Sequence, residues 1–123
     1  MSINKILVVD DSKVDLATLE EIVSEVASTV ITATNGAEAV EKAKTEKPEL
    51  IFMDVLMQPM DGYQACREIR HNDSTKNIPI VFVTGKGQKA DRMWAKMQGG
   101  DGFVQKPFTS NDIIEQINNI FKQ

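Results

Sequence analysis

The chain has one cysteine and one histidine in 123 residues, and each scarcity excludes something. A lone Cys66 cannot close an internal disulfide, which agrees with a reducing compartment. Cys66 and His71 cannot form the cysteine–histidine cluster that zinc prefers. No run approaches the roughly 18 apolar residues that cross a bilayer, and Met1 to Asp11 contains no apolar stretch followed by a small-residue cleavage site. A cytoplasmic protein without membrane insertion is expected. Basic blocks are missing too. The net charge is −4, and Lys42, Lys44 and Lys47 are mixed with Glu41, Glu46 and Glu49 as on a solvated helix face. Nucleic-acid binding, which rests on clustered Lys and Arg, is not expected. No repeat, low-complexity tract, Pro/Gly/Ser-rich linker or phosphate loop ending in Gly-Lys-Ser/Thr occurs.

What is present is an ordinary globular composition, 41% hydrophobic and 26% charged, at a length near the commonest size for one domain. Five short runs rich in branched residues read as strands: Ile6–Val9, Val30–Ala33, Leu50–Met53, Ile80–Val83 and Gly102–Val104. They are continuously apolar, as strands buried on both faces are. Between them lie five stripes of helical period: Leu16, Leu19, Ile22, Val23 and Val26; Ala37, Val40 and Ala43; Tyr63, Cys66 and Ile69; Ala90, Met93, Trp94 and Met97; and Ile113, Ile114, Ile117, Ile120 and Phe121. Ser12 before Asp15, Asn35 before Glu38 and Thr109 before Asp112 carry the offset of a capping box. The expectation is an α/β fold, a five-stranded parallel sheet wound on both faces by five helices, as one domain over 1–123 with no separate output domain.

The strands of a parallel sheet end along one edge, so the residues just beyond them meet. Asp10 and Asp11 follow the first strand, Asp54 the third, Thr84 the fourth, and Lys106 with Pro107 the fifth. Gathered carboxylates repel one another and call for a cation. Hard oxygen ligands suit Mg²⁺, or Mn²⁺ in its place, and the twelve-residue Ca²⁺ loop is absent. A carboxylate, a metal, a hydroxyl and an ammonium group together satisfy phosphoryl transfer. Asp54 is then the nucleophile, Lys106 a point charge for one phosphoryl oxygen, and the Thr84 hydroxyl a donor to another. Taken singly, each has a plainer reading: Asp10 and Asp11 as caps with Ser12, Asp54 as a turn residue near Pro59 and Asp61-Gly62. Four strand ends carrying the required groups in one chain favour the functional reading.

In Val8-Val-Asp-Asp-Ser12, Met53-Asp54 with Met57 and Asp61-Gly62, Val83-Thr84-Gly85 and Lys106-Pro107-Phe108, the chain resembles the receiver domain of two-component response regulators, of the stand-alone chemotaxis type. The resemblance implies a flavodoxin-like fold with strand order 2-1-3-4-5 and phosphoryl transfer from a sensor kinase's phosphohistidine to Asp54. It implies Asp11, Asp54 and the backbone carbonyl of Leu56 as Mg²⁺ ligands, with Asp10 holding the metal chiefly through water. Thr84 and Phe103 resemble the family's switch pair, hydroxyl moving and ring turning inward. The implied partners are a histidine kinase or phosphotransfer domain and a downstream motor or effector protein. The expected partner face runs over Lys86 to Lys96, Phe103 and the start of the last helix, on a monomer. A phosphate sink or phosphorelay intermediate without an output target is the alternative.

Two positions depart from the family pattern. Gln58 stands where proline is usual, with Pro59 one place later, and Leu56 stands where a polar residue often shapes access of the hydrolytic water. Met93-Trp-Ala-Lys-Met-Gln-Gly99 resembles stand-alone regulators of twitching motility, although packing within its stripe is the favoured reading of Trp94 itself. Gly99-Gly-Asp-Gly-Phe103 reads as turn chemistry, and His71 as a solvated residue at a helix end. A phosphatase of the haloacid dehalogenase type would need a second acid two residues after its nucleophile; here Asp10 is followed by Ser12 and Asp54 by Leu56. The protein is therefore expected to be a phosphoacceptor and not an enzyme acting on other substrates. A degenerate receiver is disfavoured by the intact set Asp10, Asp11, Asp54, Thr84 and Lys106.

Overall fold

In the computed structural model, residues 3–85 and 89–122 are described, the side chains of residues 89 and 90 excepted. Five strands and five helices alternate: β1 Ile3–Val9, α1 Lys13–Ser24, β2 Ala27–Ala33, α2 Gly36–Glu46, β3 Leu50–Met53, α3 Gly62–Arg70, β4 Ile80–Thr84, α4 Lys89–Met97, β5 Gly102–Gln105 and α5 Ser110–Ile120. All the strands are parallel, in the order β2-β1-β3-β4-β5. Each expected strand is present, with β1 and β2 reaching three residues further toward the N-terminus.

Apolar residues on both sides of the pleat give the sheet two cores. Leu7, Val9, Ile51, Met53, Ile80 and Phe82 face one side with Val40, Cys66 and Ile69 from α2 and α3. Ile6, Val8, Leu50, Phe52, Val81 and Val83 face the other, with Leu19, Val23, Ile113 and Ile117 from α1 and α5. Alternation of side chains along each strand, with apolar residues at every position, makes this double burial possible. Phe82 meets Tyr63 of α3 edge-on, their ring centroids 5.1 Å apart.

The helix starts are as read. Ser12, Asn35, Asp61 and Thr109 each accept the backbone N–H three residues on. Among these four starts, Thr109 and Asp112 alone close both halves of a capping box. Glu38 instead takes the N–H of Thr34 at 2.7 Å, which holds its carboxyl below the usual carboxylate value.

Five stripe residues depart from expectation. Val26 lies in the turn after α1, beyond the Glu25 cap, and on α2 the exposed Ala37 yields its core place to Ala39. The larger difference is on α4. Met93, Trp94 and Met97 share a helix face but turn to solvent, Trp94 being 49% exposed, and Ala95 is the buried residue instead. A helical period fixes which residues share a face and not which face meets the sheet. Here the small Ala95 side chain goes inward, into the cluster that also holds Phe82.

The connection from α4 to β5 is held from α3. Arg70 donates to the carbonyl of Gly99 through Nε and Nη2, at 3.1 and 2.8 Å, and to Ile78 at 2.6 Å. It also pairs with Asp101 at 2.7 Å. Cys66 Sγ donates to the carbonyl of Gln98 at 3.1 Å. Gly99 has φ +101°, a conformation glycine adopts without steric cost, and a β-carbon on Gly100 would stand 2.7 Å from Phe82. The Gly-Gly-Asp-Gly stretch is thus a tight connection, and the exposed His71 caps α3. Among the described residues no helix is long and apolar enough to cross a membrane.

Candidate phosphoryl-acceptor site

Four of the five strands deliver a polar group to the carboxyl edge of the sheet. β1 and β3 are hydrogen-bond neighbours in register Val9↔Met53, so Asp10 and Asp54 emerge side by side. Asp54 N–H donates to the Val9 carbonyl at 3.0 Å, and Asp10 N–H to that of Ala33 at 3.1 Å, which extends the ladder to the acids themselves. β4 and β5 end in register Thr84↔Gln105, and Lys106 N–H donates to the Thr84 carbonyl at 2.9 Å. Asp10 is 1% exposed, Asp54 6% and Thr84 0%, while Asp11 is open to solvent.

The Lys106 side chain draws the edge together. Its Nζ lies 2.8 Å from Asp10 Oδ2, 2.9 Å from Asp15 Oδ2 and 3.3 Å from Asp54 Oδ2. The remaining carboxylate oxygens of the buried acids are also engaged: Asp10 Oδ1 accepts from Ser12 N–H at 2.9 Å, and Asp54 Oδ1 from Val55 N–H at 2.7 Å. The three strand-end acids Asp10, Asp11 and Asp54 each offer a ligand oxygen, all within 4.8 Å of one another.

Burial pushes the Asp10 carboxyl above the usual carboxylate value, against the opposing pull of Lys106 and the Ser12 N–H, and the charge of Asp54 pushes the same way. For Lys106 burial works against the charge, but hydrogen bonds to Asp10 and Asp15 and the charges of Asp54 and Asp10 outweigh it and hold its pKa above the ordinary lysine value. Three carboxylates contact the one ammonium and a fourth, Asp11, lies beside Asp10 and Asp54, so the cluster is an anionic pocket with a fixed cation at one wall. Such a pocket suits a hard divalent cation, and the exposed flank at Asp11 leaves room for water to complete its coordination.

Asp10, Asp11, Asp54 and Lys106 meet as the strand-end reading requires, and Thr84 lies buried on the strand that carries Lys106's backbone partner. Leu56, 59% exposed, lines a hollow beside the acids with Asp11, Met57, Gln58 and Asp61. The Gln58–Pro59 and Lys106–Pro107 peptides are both cis. Phe103 is half-buried, packed against the core on the α4 side, with the Arg92 guanidinium 4.8 Å above its ring. Of the expected partner face, Lys86, Gly87 and Gln88 lie outside the described residues, as do the side chains of residues 89 and 90.

Asp15 is the residue that sequence reasoning missed. Its offset from Ser12 suggested a capping partner, and its N–H does donate to Ser12 Oγ at 3.3 Å. Its carboxylate goes to Lys106 instead. The available signal was its place in the first turn of the helix that leaves the Asp10-Asp11 edge, one turn from the acids.

With this geometry in hand, likeness to known proteins is informative. The model of the response regulator receiver domain matches residues 6–118. Protein PilH of Pseudomonas aeruginosa is 34% identical over 116 residues, which cover 94% of this chain and 96% of PilH. Protein PilG of the same organism is 34% identical over 113 residues, 92% of this chain and 84% of its own. Among solved structures, a chain of the CheX–CheY–BeF3–Mg²⁺ complex from Borrelia burgdorferi superposes with a TM-score of 0.89 at 26% identity, covering 97% of this chain and 90% of that one.

Proposed function

Since this chain belongs to the response regulator receiver domain family, we propose that it is a phosphorylation switch in which Asp54 accepts a phosphoryl group from the phosphohistidine of a sensor kinase or phosphotransfer domain. The observation that carries this reading is the Lys106 ammonium, held 3.3 Å from Asp54 inside a cluster of strand-end carboxylates. One oxygen of Asp54 attacks phosphorus. The new O–P bond forms as the P–N bond of the phosphohistidine breaks, and the electron pair of that bond stays on the imidazole nitrogen. Lys106 donates to one phosphoryl oxygen and the Thr84 hydroxyl to another. Asp10, Asp11, Asp54 and the Leu56 carbonyl are the groups that would hold Mg²⁺ or Mn²⁺. When bound, the cation offsets charge on the phosphoryl oxygens.

The switch pair is Thr84 and Phe103, and the signalling face is α4, β5 and α5. Two features support that face. Arg92 of α4 sits over the Phe103 ring, so a turn of the ring disturbs α4 directly. The exposed Met93, Trp94 and Met97 give α4 an apolar face for a motor or effector protein. The likeness to PilH and PilG, with the Met93–Gly99 segment, favours chemotaxis-like control of pilus-based motility.

The test is incubation with Mg²⁺ and acetyl phosphate followed by intact mass measurement. Wild type should gain one phosphoryl group and Asp54→Asn none. No gain on wild type, or an equal gain on Asp54→Asn, would overturn the proposal.

A further inference from the structure

Asp15 carries no part of the phosphoryl chemistry described so far, yet its carboxylate is nearer the Lys106 ammonium than that of Asp54 is, at 2.9 Å against 3.3 Å. An ammonium has three N–H donors. All three have acceptors in this structure, on Asp10, Asp15 and Asp54. A phosphoryl group on Asp54 brings new anionic oxygens, so one existing acceptor must give way.

The three carboxylates are not equally able to do so. Asp10 is buried, with its second oxygen fixed by Ser12 N–H, and losing Lys106 would leave a buried charge without its counter-ion. Asp54 moves with the phosphoryl group it carries. Asp15 has a side chain 38% exposed, and water can replace the ammonium there at little cost.

We propose that Asp15 is a positioning residue that holds Lys106 back from the phosphoryl group, so that its carboxylate lowers the stability of the phosphorylated state relative to the resting one. The inference rests on the proposal that Asp54 is the acceptor. It also gives Lys106 two stations, an Asp15 station at rest and a phosphoryl station when the acceptor is loaded. A carboxylate at position 15 thereby sets how much of the chain stays phosphorylated at a given donor supply.

An acid in the first turn of a helix also interacts with the helix dipole, and that contribution would not involve Lys106. A double-variant cycle separates the two roles. Beryllofluoride, a phosphoryl mimic, is titrated by calorimetry at saturating Mg²⁺ into wild type, Asp15→Ala, Lys106→Met and the double variant. Asp15→Ala should bind beryllofluoride roughly two- to fivefold tighter than wild type, the range that one partly exposed ion pair commands. In the Lys106→Met background the same substitution should no longer tighten binding. Asp15→Glu, which keeps the charge, should stay close to wild type while Asp15→Asn follows Asp15→Ala. Equal tightening in both backgrounds, or none in either, overturns the inference while wild type still binds. A wild type that neither binds beryllofluoride nor takes a phosphoryl group from acetyl phosphate overturns the acceptor proposal itself, and this inference with it.

Discussion

Gly62 leaves no room for a side chain because the main-chain carbonyl of Asp54 occupies the place where its β-carbon would stand. The contact is backbone to backbone, and Gly62 N–H closes it by donating to the Val55 carbonyl at 2.8 Å. The start of α3 is thus pressed against the loop that carries Asp54. Gly62→Ala should displace that loop and cost about 1–3 kcal/mol, the range for overpacking a dense site. Urea denaturation gives the loss. Acetyl phosphate labelling of the variant should be slower than wild type under conditions where it is still folded.

Arg70 should behave as a structural clamp. It bridges the carbonyls of Gly99, Lys76 and Ile78 and the carboxylate of Asp101, whose Oδ2 also accepts from Ile80 N–H at 2.9 Å. Arg70→Met should cost roughly 2–3 kcal/mol, as expected when charge-assisted hydrogen bonds are lost and their partners stay half-buried. Arg70→Lys should recover less than half, since a compact ammonium cannot span acceptors that a planar fork reaches. Amide exchange at Asp101, whose N–H donates to the Ile80 carbonyl, should accelerate in both variants.

Burial pushes the Cys66 thiol up to about 11 from its ordinary 9.0. The native state therefore keeps the thiol proton over a range where the unfolded chain gives it up. Unfolding is favoured as pH rises, so stability should fall between about pH 9 and pH 11, by roughly 2–3 kcal/mol for a two-unit difference. Cys66→Ala should lack this part of the alkaline slope. Urea melts of the two proteins across that range measure the difference, and parallel slopes would contradict it.

Leu56 lines the hollow beside the acids with an apolar, exposed side chain. On the proposed function, a water that attacks through this hollow finds no hydrogen-bonding partner on Leu56. Leu56→Asn offers one and should shorten the phosphorylated half-life several-fold, measured by the decay of the labelled species after donor removal. An unchanged half-life would count against this role for the side chain.

Most of the architecture was open to reading because it follows from local pattern. Five apolar runs and their order dictate where Asp10, Asp11, Asp54, Thr84 and Lys106 emerge, and that edge is where the structure has them. The orientation of α4 was not open to reading. Trp94, Met93 and Met97 have the spacing of a buried stripe, but which side of the helix meets the sheet depends on contacts made across long sequence intervals, among them the Arg70 hold on Gly99. Asp15 was hidden for a similar reason. Its backbone serves the helix start, as the motif suggests, while its side chain is claimed by a lysine 91 residues away.

That distance along the chain has a kinetic meaning. Lys106 reaches Asp10 across 96 residues and Asp54 across 52, so the pocket closes only when the last βα unit docks at the edge of the sheet. Contacts so remote in sequence form late, because their loop-closure entropy is met only after the intervening elements are in place. A chain still emerging, or one whose fifth strand has detached, carries Asp54 without its counter-ion. On the proposed function, competence to take a phosphoryl group is therefore acquired only with complete folding, and partly folded chains would contribute nothing to the signal.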